Sequence, residues 1–488
     1  MLSSFLRVIA CTLLLLTVLL TGPGIAAPTR DQVLTAMSRA TVYMMNSVST
    51  HGGFAEIYTE DLSKRWGEIP ARNTMIWVQE IGTVSVGRVL LETYKATGEE
   101  FFLRQSERTA DALAWGQLPC GGWHYFIDFD MDGVEQYYEE VASKCWGWEE
   151  YYHYYGNATY DDNVSTGATD FLLDLYLTTL NPTYRVPLMR ALDFVLESQY
   201  PVGGWPQRYP LRYDHPTERG PDYTSCLTFN DGVTANNIDL LLKAYAKLGD
   251  SAYKDAALRG MWFVVISQLG APQAGWAQQY DLNLQPAGAR SYEPKSIAPS
   301  KTVSNIHNLM RYYKITGDRR FLRGIPDAIA WLENSPLPPG HAQNGETHAQ
   351  FIEIGTNRPL YAHREGPSME EGRYWIDYEP GNFPGHYGMQ LKLDIPALKA
   401  EYERVFALAP EQAMTEYQSV TPPPLSPVSP ETIQTMIDSL DDKGRWIENL
   451  EVKDYSDWKF KPRIKFRGIS VRTYVNNLRT MAQYLEQQ

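Results

Sequence analysis

The sequence predicts an all-α fold: an α/α toroid (an incomplete α/α barrel) of repeated helix hairpins with long rim loops. Two recurring elements carry this prediction. A glycine–aromatic element returns as HGGF at 51–54, CGGW at 120–123, VGGW at 202–205 and, shortened, AGW at 274–276. A tyrosine followed by a tight turn and a second aromatic residue returns, with separations of 82, 69 and 68 residues, at Tyr94, Tyr176, Tyr245 and Tyr313. Periodicity on this scale is typical of repeat architectures.

Each repeat is expected to contain two helices. In the stretch DGVTANNIDLLLKAYAKLG (231–249), apolar side chains follow helical spacing: Ile238, Leu241, Leu242, Tyr245 and Leu248. Gly249 and Asp250 then end this helix and begin a second one, which runs from about 252 to 269. Hairpins stacked in this way can close into a ring with the glycine–aromatic loops on one rim.

The loop at 203–212, GGWPQRYPLR, is the rim loop richest in cations. Glycine and proline interrupt it, so it is neither a helix nor an alternating strand. Exposed aromatic faces on such a rim suit sugar rings, and arginines suit acidic groups. We therefore expect substrate contacts from Trp205, Arg208 and Arg212, and from Trp276 in the next rim loop.

Four segments are expected along the chain. Residues 1–27 have a basic start, an apolar run and small residues at the end, which is typical of a secretory signal peptide. The catalytic toroid is expected at 28–400, although its repeat fades near Leu332 and a long irregular stretch follows at 336–388. A helix end and Pro-rich linker follow at 401–430, and then a C-terminal helical tail at 431–488, which either packs on the toroid or hangs free.

Composition limits the classes of partner. The 488 residues are 43% hydrophobic and 21% charged, as in an ordinary globular protein, and the formal net charge is −14. This charge argues against nucleic acid or an anionic membrane as the main partner. The 12% aromatic content fits either sugar binding or a large core. We expect a monomer that is secreted or periplasmic and that has no membrane contact after the signal peptide is cleaved.

Three cysteines follow the predicted leader: Cys120, Cys145 and Cys226. An odd number allows one disulfide at most, and Cys120 with Cys145 is the more local pairing. Their spacing matches no metal-binding motif.

Acidic clusters follow the rim loops. Asp128, Asp130 and Asp132 follow the second loop, Asp161 and Asp162 precede the next helix, and Asp231 follows Asn230 after the third loop. Oxygen-rich loops suit Ca²⁺, and paired carboxylates equally suit a glycosidase. Asp231 also fits a simple helix N-cap.

Five stretches come in the order seen in the family 10 polysaccharide lyases, which are pectate lyases with a toroid-like α-helical fold: GGWPQRYPLR (203–212), LTFNDGVTANNI (227–238), GWAQQYD (275–281), ARSYEPKSI (289–297) and EIGTNRPLYAHREG (353–366). The chain resembles this family over roughly residues 30–390. The resemblance implies Ca²⁺-assisted β-elimination of polygalacturonate.

The resemblance also implies roles for individual residues. Arg364 matches the family's base arginine, and Arg290 and Glu293 match a cluster in which the arginine binds a uronate carboxylate. Arg358, in the TNRP motif, is expected to contact substrate. Asp231 matches a Ca²⁺-binding aspartate, and Asp162 is the candidate for a second one.

Two positions depart from the family pattern. Ser165 stands where the resemblance implies a second Ca²⁺-binding carboxylate, which Asp161 or Asp162 would have to replace. Gln350 stands where the family has a substrate-gripping arginine. Both changes bear on Ca²⁺ dependence and on specificity for polygalacturonate.

Elimination removes a proton from the carbon beside a carboxylate, so the charge of the developing enolate must be neutralised. Arginine binds a carboxylate in bidentate fashion but is a demanding base, because lowering its pKa by roughly 3 units costs about 4 kcal/mol. A glycoside hydrolase that uses Asp128, Asp130 or Glu293 as acid and base is an alternative. A non-catalytic protein that binds acidic glycan is another.

Overall fold

The computed structural model describes residues 27–145, 149, 154–212, 222–342, 344–366, 372–385, 387–419, 426–452 and 464–488. Apart from Ala27, the expected signal peptide lies outside these residues. Most of the described chain is helical: α1 (Arg30–Tyr43), α2 (Thr83–Thr97), α3 (Glu100–Trp115), α4 (Val134–Glu140), α5 (Val164–Thr179), α6 (Pro182–Glu197), α7 (Val233–Leu248), α8 (Ser251–Ile266), α9 (Pro299–Thr316), α10 (Ile325–Glu333), α11 (Ile395–Ala407), α12 (Pro410–Gln418), α13 (Pro430–Asp438) and α14 (Val471–Glu486).

The predicted hairpins form as α2/α3, α5/α6 and α7/α8, and α2, α5 and α7 pack side by side. An ion pair of 2.7 Å between Arg311 and Asp239 joins α9 to α7. The repeating all-α architecture predicted from the sequence is therefore confirmed.

The recurring tyrosines mark the ends of the first helices. The carbonyls of Tyr94, Tyr245 and Tyr313 accept hydrogen bonds from Gly98, Gly249 and Gly317 at 2.8, 2.9 and 2.7 Å. These glycines have φ of 78°, 80° and 71°, the left-handed conformation that ends a helix. Asn181, Asp250 and Asp318 then accept backbone N–H bonds at the start of the following helices.

A short antiparallel ladder flanks each hairpin: β4 (Met75–Trp77) with β5 (Phe126–Asp128), β6 (Ala158–Thr159) with β7 (Arg208–Tyr209), and β8 (Leu227–Thr228) with β9 (Gln279–Tyr280). The registers are equivalent, since Trp77 faces Phe126, Thr159 faces Arg208 and Thr228 faces Gln279. The repeat predicted for the helices therefore extends to the strands between them.

The glycine–tryptophan elements belong to the core. Trp205 and Trp276 are both 0% exposed, and their indole N–H groups donate to Val195 O and Val264 O at 2.8 Å. A Cβ at Gly203 would lie 2.2 Å from the carbonyl oxygen of Arg259, so only glycine lets the loop approach that helix. The expectation that Trp205 and Trp276 stack on a polymer is wrong, because both rings fill the interior between hairpins.

The irregular stretch at 336–388 contains strands. β10 (His348–Ala349) pairs with β14 (Gln390–Leu391), and β12 (Pro359–Glu365) lies between β11 (Phe351–Ile352) and β13 (Arg373–Asp377). α11 crosses the expected domain boundary at 400, and Tyr313 of α9 donates to Leu408 O at 2.7 Å. The helical body thus continues past both positions at which the sequence predicts that it ends.

The C-terminal segment packs against the N-terminal part of the chain. β15 (Glu448–Val452) and β16 (Ile464–Ser470) join β1 (Ile57–Thr59), β2 (Arg65–Trp66) and β3 (Pro70–Ala71) in a sheet of order β15-β16-β1-β2-β3. α14 packs on α1 and α2, and the two ends share a hydrophobic cluster. The prediction of a purely helical tail is wrong, since a β-hairpin precedes its last helix.

Cys120, Cys145 and Cys226 are free thiols, so the predicted pairing of Cys120 with Cys145 does not form. Their Sγ atoms instead lie beside carbonyls, that of Cys120 at 3.8 Å from Tyr209 O and that of Cys145 at 3.5 Å from Val141 O. Among the described residues, none of the helices has the length and apolar character needed to cross a membrane.

Candidate active site

Two equivalent turns lead into α5 and α7. Residues 160–165 read Tyr-Asp-Asp-Asn-Val-Ser, and residues 229–234 read Phe-Asn-Asp-Gly-Val-Thr. Asp162 and Asp231 occupy the same place in these turns, with left-handed φ of 45° and 48°. The N-cap of α7 is Gly232, without a side-chain cap bond, so Asp231 is not the simple helix cap that the sequence allows. The repeat thus brings two aspartates of neighbouring hairpins together.

These turns create a cluster of three carboxylates. One oxygen each of Asp161, Asp162 and Asp231 lies within 4.8 Å of the others. Asp161 is buried and accepts a 2.5 Å bond from the Tyr125 hydroxyl, whereas Asp162 is exposed and accepts a 2.7 Å bond from Gln79 Nε2. Sequence analysis singled out the acidic residues but missed Tyr125 and Gln79, which lie in other repeats.

Arg290 joins this cluster from the turn before α9. Its Nη2 donates to Asp161 Oδ2 at 2.7 Å, and its Nη1 lies 3.3 Å from Glu293 Oε2 and 4.0 Å from Asp231 Oδ2. Its side chain is 5% exposed. A buried guanidinium held by several carboxylates has a fixed orientation. The structure thus places Arg290, Glu293, Asp162 and Asp231 together.

Glu293 is buried at 1% exposure and fully engaged. Besides Arg290, it accepts from Asn230 Nδ2 at 3.1 Å and from the Tyr387 hydroxyl at 3.2 Å. Gln278 donates in turn to Tyr387 at 2.6 Å. This network positions Arg290 and leaves Glu293 poorly placed for direct contact with a polymer, so we assign it a positioning role.

The three aspartates differ in their pKa values. Burial opposes ionisation of Asp161, but Arg290 and hydrogen bonds from its neighbours outweigh it and lower the pKa to about 2. Burial and then the charge of Asp161 raise the pKa of Asp162 to about 6, and the same causes raise the pKa of Asp231 well above its usual value. Asp162 is exposed and the Asp231 side chain is 26% exposed. Water therefore weakens the effect of burial there, and we give more weight to carboxylate crowding.

The residues present fit a Ca²⁺ ion. Asp161 Oδ1 is buried and has no hydrogen-bond donor among the described residues. After burial, the charge of Asp161 is the largest cause that raises the pKa values of Asp162 and Asp231, as expected for closely spaced carboxylates. Carboxylate oxygens from flexible turns are the ligands that Ca²⁺ prefers. Asp161, Asp162 and Asp231 could therefore hold such an ion.

Arg364 lies on β12, on the other side of the turn that carries Arg290. Its Nε and Nη2 donate to Ser291 Oγ at 3.2 and 3.1 Å, its Nη2 also donates to Glu149, and its Cζ lies 4.5 Å from the ring centre of Tyr292. Its exposure is 1%. Since Ser291 follows Arg290 directly, the two arginines predicted to act in catalysis are neighbours. Sequence analysis missed Ser291, which lies inside the ARSYE motif, and Glu149, for which the sequence offers no signal.

The cationic rim loop divides into a buried and an exposed arginine. Arg208 is 1% exposed, and its Cζ lies 5.1 Å from the ring centre of Tyr125 and 4.6 Å from that of Tyr155. Arg212 is exposed beside Gly156. Because Tyr125 also binds Asp161, Arg208 lies next to the carboxylate cluster.

Arg358 does not join the site. It precedes β12 while Arg364 is near the end of that strand, so about 20 Å of extended chain separates them at about 3.3 Å per residue. Its Cζ lies 3.3 Å from the ring centre of Tyr378. Arg358 therefore lies outside the group of residues around Arg364, and its expected contact with substrate stays a prediction.

The two departures from the family pattern have structural explanations. Ser165 is 0% exposed, and its Oγ accepts a 3.0 Å bond from Trp123 N, as Thr83 Oγ1 accepts one of 2.9 Å from Phe54 N. Ser165 is thus a packing residue, and Asp162 three positions earlier supplies the carboxylate beside Asp231. Gln350 is buried, and its backbone N–H donates to Met389 O at 2.9 Å.

The hydrolase candidates lie in another arrangement. Asp128 Oδ2 is 3.9 Å from Arg72 Nη1, and Asp128 Oδ1 accepts the backbone N–H of Asp130 at 3.0 Å. These contacts tie both aspartates to the β4–β5 ladder. Glu293, the third candidate, is held in the Arg290 network. The described contacts therefore give no pairing of Asp128 or Asp130 with Glu293.

Comparisons with known proteins agree with the motif order. Residues 147–376 match the model of a family described as pectic acid lyase. No curated protein matches the chain. Among solved structures, a mutant of the family 10 polysaccharide lyase from Cellvibrio cellulosa in complex with trigalacturonic acid is 19% identical, covers 61% of this chain and 92% of its own, and has a TM-score of 0.42.

Glycoside hydrolases also resemble the chain. A family 76 mannosidase from Bacteroides thetaiotaomicron is 10% identical, covers 93% of this chain and 97% of its own, and has a TM-score of 0.42. A family 76 α-1,6-mannanase from Salegentibacter is 11% identical, covers 93% of this chain and 98% of its own, and has a TM-score of 0.35.

The family match spans the segment that holds Arg208, Asp231, Arg290 and Arg364, and it confirms the resemblance read from the five motifs. Over residues 147–376, this chain is similar to the pectic acid lyases.

Proposed function

We propose that this protein cleaves polygalacturonate, or a related uronate polymer, by β-elimination. The observation that supports this most is that buried Arg364 binds Ser291, the residue that follows buried Arg290, while three carboxylates lie beside Arg290. Elimination next to a carboxylate needs both charge neutralisation and a base, and this arrangement supplies candidates for each.

Substrate binding comes first. Arg290 presents a fixed guanidinium to a uronate carboxylate, and Glu293 with Tyr387 fixes its orientation. Asp161, Asp162 and Asp231 would hold Ca²⁺, which would supply positive charge to neutralise the carboxylate of the sugar that loses its proton. Arg212, exposed on the rim, adds long-range attraction for an acidic polymer.

Proton removal is assigned to Arg364. The base takes the proton from the carbon next to the carboxylate, the electron pair forms the new carbon–carbon double bond, and the glycosidic carbon–oxygen bond breaks. The departing oxygen is then protonated. A neutral guanidine is needed, and neighbouring cations favour it by disfavouring the charged form.

The contact of Arg364 with Glu149 opposes this role, since a carboxylate stabilises the charged guanidinium. We therefore propose that Glu149 moves away from Arg364 when the polymer binds, and that the uronate carboxylate pairs with Arg290 rather than with Arg364. Arg290 keeps its own carboxylate partners and remains charged, which separates the two arginines into a base and a carboxylate ligand.

A product assay tests the function. Purified protein with polygalacturonate and Ca²⁺ should give unsaturated products, which are seen as a rise in near-ultraviolet absorbance. Reducing ends without unsaturation would indicate a glycoside hydrolase. Binding without either product would indicate a non-catalytic glycan-binding protein.

The assignment of the base is tested with Arg364→Lys. Turnover should fall by about 10²- to 10⁴-fold with polymer binding mostly kept, because loss of a general base costs that much in rate. Arg373→Lys, an exposed arginine on the neighbouring strand that pairs with Glu365, is the control. Full activity of Arg364→Lys would place the base elsewhere, with Lys301 and Lys295 as the next residues to test.

The protein is proposed to act outside the cytoplasm as a monomer. The leader-like pattern of residues 1–27 supports export, and an extracellular polymer is the substrate class that the site suits.

A further inference from the structure

Arg208 lies at a strand position where the equivalent strands of the repeat carry other residues. In the equivalent ladders, Arg208 faces Thr159 where Gln279 faces Thr228 and Phe126 faces Trp77. The neighbouring backbone hydrogen bonds also correspond. In each ladder, the carbonyl of the preceding residue accepts from the backbone N–H of the residue that follows the partner strand, at 2.9 Å for Gln207, 2.8 Å for Gln278 and 2.7 Å for Tyr125. Since the same backbone hydrogen bonds form with glutamine or phenylalanine at this position, the strand pairing does not require an arginine.

The guanidinium of Arg208 has ring contacts but lacks acceptors. It is 1% exposed, and neither Nη1 nor Nη2 has a hydrogen-bond partner among the described residues. The rings of Tyr125 and Tyr155 cover it, at 5.1 and 4.6 Å from Cζ to the ring centres. Cation–π contact offsets part of the loss of water, but it leaves the N–H donors unpaired, which is costly in a buried site.

The surroundings point to a planar anion as the missing partner. Tyr125 joins Arg208 to the active site, because its ring faces Arg208 while its hydroxyl donates to Asp161 at 2.5 Å. Tyr223 similarly has Arg290 above its ring, at 5.7 Å. Buried His124 next to Arg208 has a pKa well below its usual value, because of burial and then the charge of Arg208, so it adds no competing cation.

We propose that Arg208, between Tyr125 and Tyr155, is a second carboxylate-binding subsite, which takes the carboxylate of a uronate unit next to the one held at Arg290. The fork of the guanidinium matches a carboxylate in bidentate geometry. This subsite rests on the proposed function. It makes the enzyme select runs of charged uronate units over methyl-esterified ones, because a methyl ester offers neither the charge nor the second equivalent oxygen.

The test compares two ligands and two variants. Arg208→Gln introduces the residue that the equivalent strand carries at 279, so the fold should accept it. Arg320→Gln is the control, since Arg320 also lies over an aromatic ring, with its Cζ 4.6 Å from the ring centre of Trp262. Arg320 belongs to the 3₁₀ turn Arg319–Leu322 that follows α9. Calorimetry measures binding of tetragalacturonate and of its fully methyl-esterified form with Ca²⁺ present. An Arg364→Ala background, checked for absence of unsaturated product, keeps the ligand intact.

Arg208→Gln should weaken tetragalacturonate at least about tenfold and leave the methyl-esterified form within about twofold, because only the acid uses the charge-assisted bonds. Arg320→Gln should change neither. Equal losses for both ligands would show a structural role and overturn the subsite, as would unchanged binding of the acid. The proposed function fails as well if the Arg364→Ala protein with Arg208 intact binds neither ligand and the unaltered protein yields no unsaturated product. Failure of the subsite alone leaves ligand binding and product formation by the protein with Arg208 intact, so the two failures can be distinguished.

Discussion

The glycine–aromatic loops and the turns into α5 and α7 both recur along the chain, but they differ in what is repeated. In three of the loops the same side chain makes the same contact: the indole N–H groups of Trp123, Trp205 and Trp276 each donate to a backbone carbonyl at 2.8 Å. In the turns the backbone and one aspartate recur, at Asp162 and Asp231, while the preceding side chain differs, as with Asp161 and Asn230.

This contrast shows where function lies in a repeat protein. A buried aromatic residue that recurs from repeat to repeat serves packing, because each unit must contact its neighbours in the same way. A polar or charged residue that one repeat has, where the others do not, needs a separate cause. Asp161 and Arg208 are such residues, whereas Trp205 is not.

The largest effect is expected from Trp205→Ala. Removing a fully buried indole should lower the free energy of unfolding by about 3–5 kcal/mol, with turnover by the folded fraction kept. Urea denaturation measures the loss. Val202→Ala, 37% exposed in the same loop, should stay within about 0.5 kcal/mol. If Trp205→Ala lost polymer binding at full stability, the loop would be a substrate site after all.

Asp231→Asn should lower activity and leave stability nearly unchanged, the reverse of Trp205→Ala. Turnover of polygalacturonate should fall by about 10²- to 10³-fold, since a group that helps to stabilise developing charge is lost, while the thermal midpoint changes by only a few degrees. Asp250→Asn is the matched control, because that aspartate caps α8 and asparagine caps equally well. Equal activity of both variants would remove Asp231 from the site.

The smallest effect is a pH-dependent response to Ca²⁺. The pKa of Asp162 is raised to about 6 in the folded protein, so its protonated form stabilises the fold at low pH, and this stability is lost as pH rises from about 4 through 6. Ca²⁺ needs the ionised carboxylates. We therefore expect it to raise the thermal midpoint by several degrees at pH 8 and hardly at all at pH 5.

The low pKa of Asp161 acts in a separate window. Its value of about 2 gives stability that is present above about pH 4 and lost as pH falls towards 2. Asp162→Asn should remove most of the rise in thermal midpoint that Ca²⁺ gives at pH 8. It should leave the loss of stability between about pH 4 and pH 2 unchanged. A Ca²⁺ response independent of pH would contradict binding at this cluster.

The sequence was informative wherever a pattern repeats. Helical spacing and the tyrosine marker predicted the hairpins, and the order of five motifs predicted the family to which residues 147–376 are similar. The structure places Asp162, Asp231, Arg290 and Glu293 together, although their contacts with one another could not be read from spacing, and their roles stay predictions.

The errors also have physical causes. Tryptophan has a flat face and a polar N–H whether it binds sugar or fills a core, so composition could not separate these roles for Trp205 and Trp276. Arg358 and Arg364 are close in sequence, but an extended strand carries them apart. Glu149 reaches Arg364 from more than 200 positions away, a contact that no local pattern encodes.

The sheet that joins the two ends of the described chain affects how the protein is made. β16 lies between β15 and β1, and α14 covers part of α2. During synthesis, the α2/α3 hairpin is made well before β16 and α14, so part of its apolar face stays uncovered until those later elements emerge. Removal of β16 and α14 would therefore destabilise α1, α2 and the strands β1–β3.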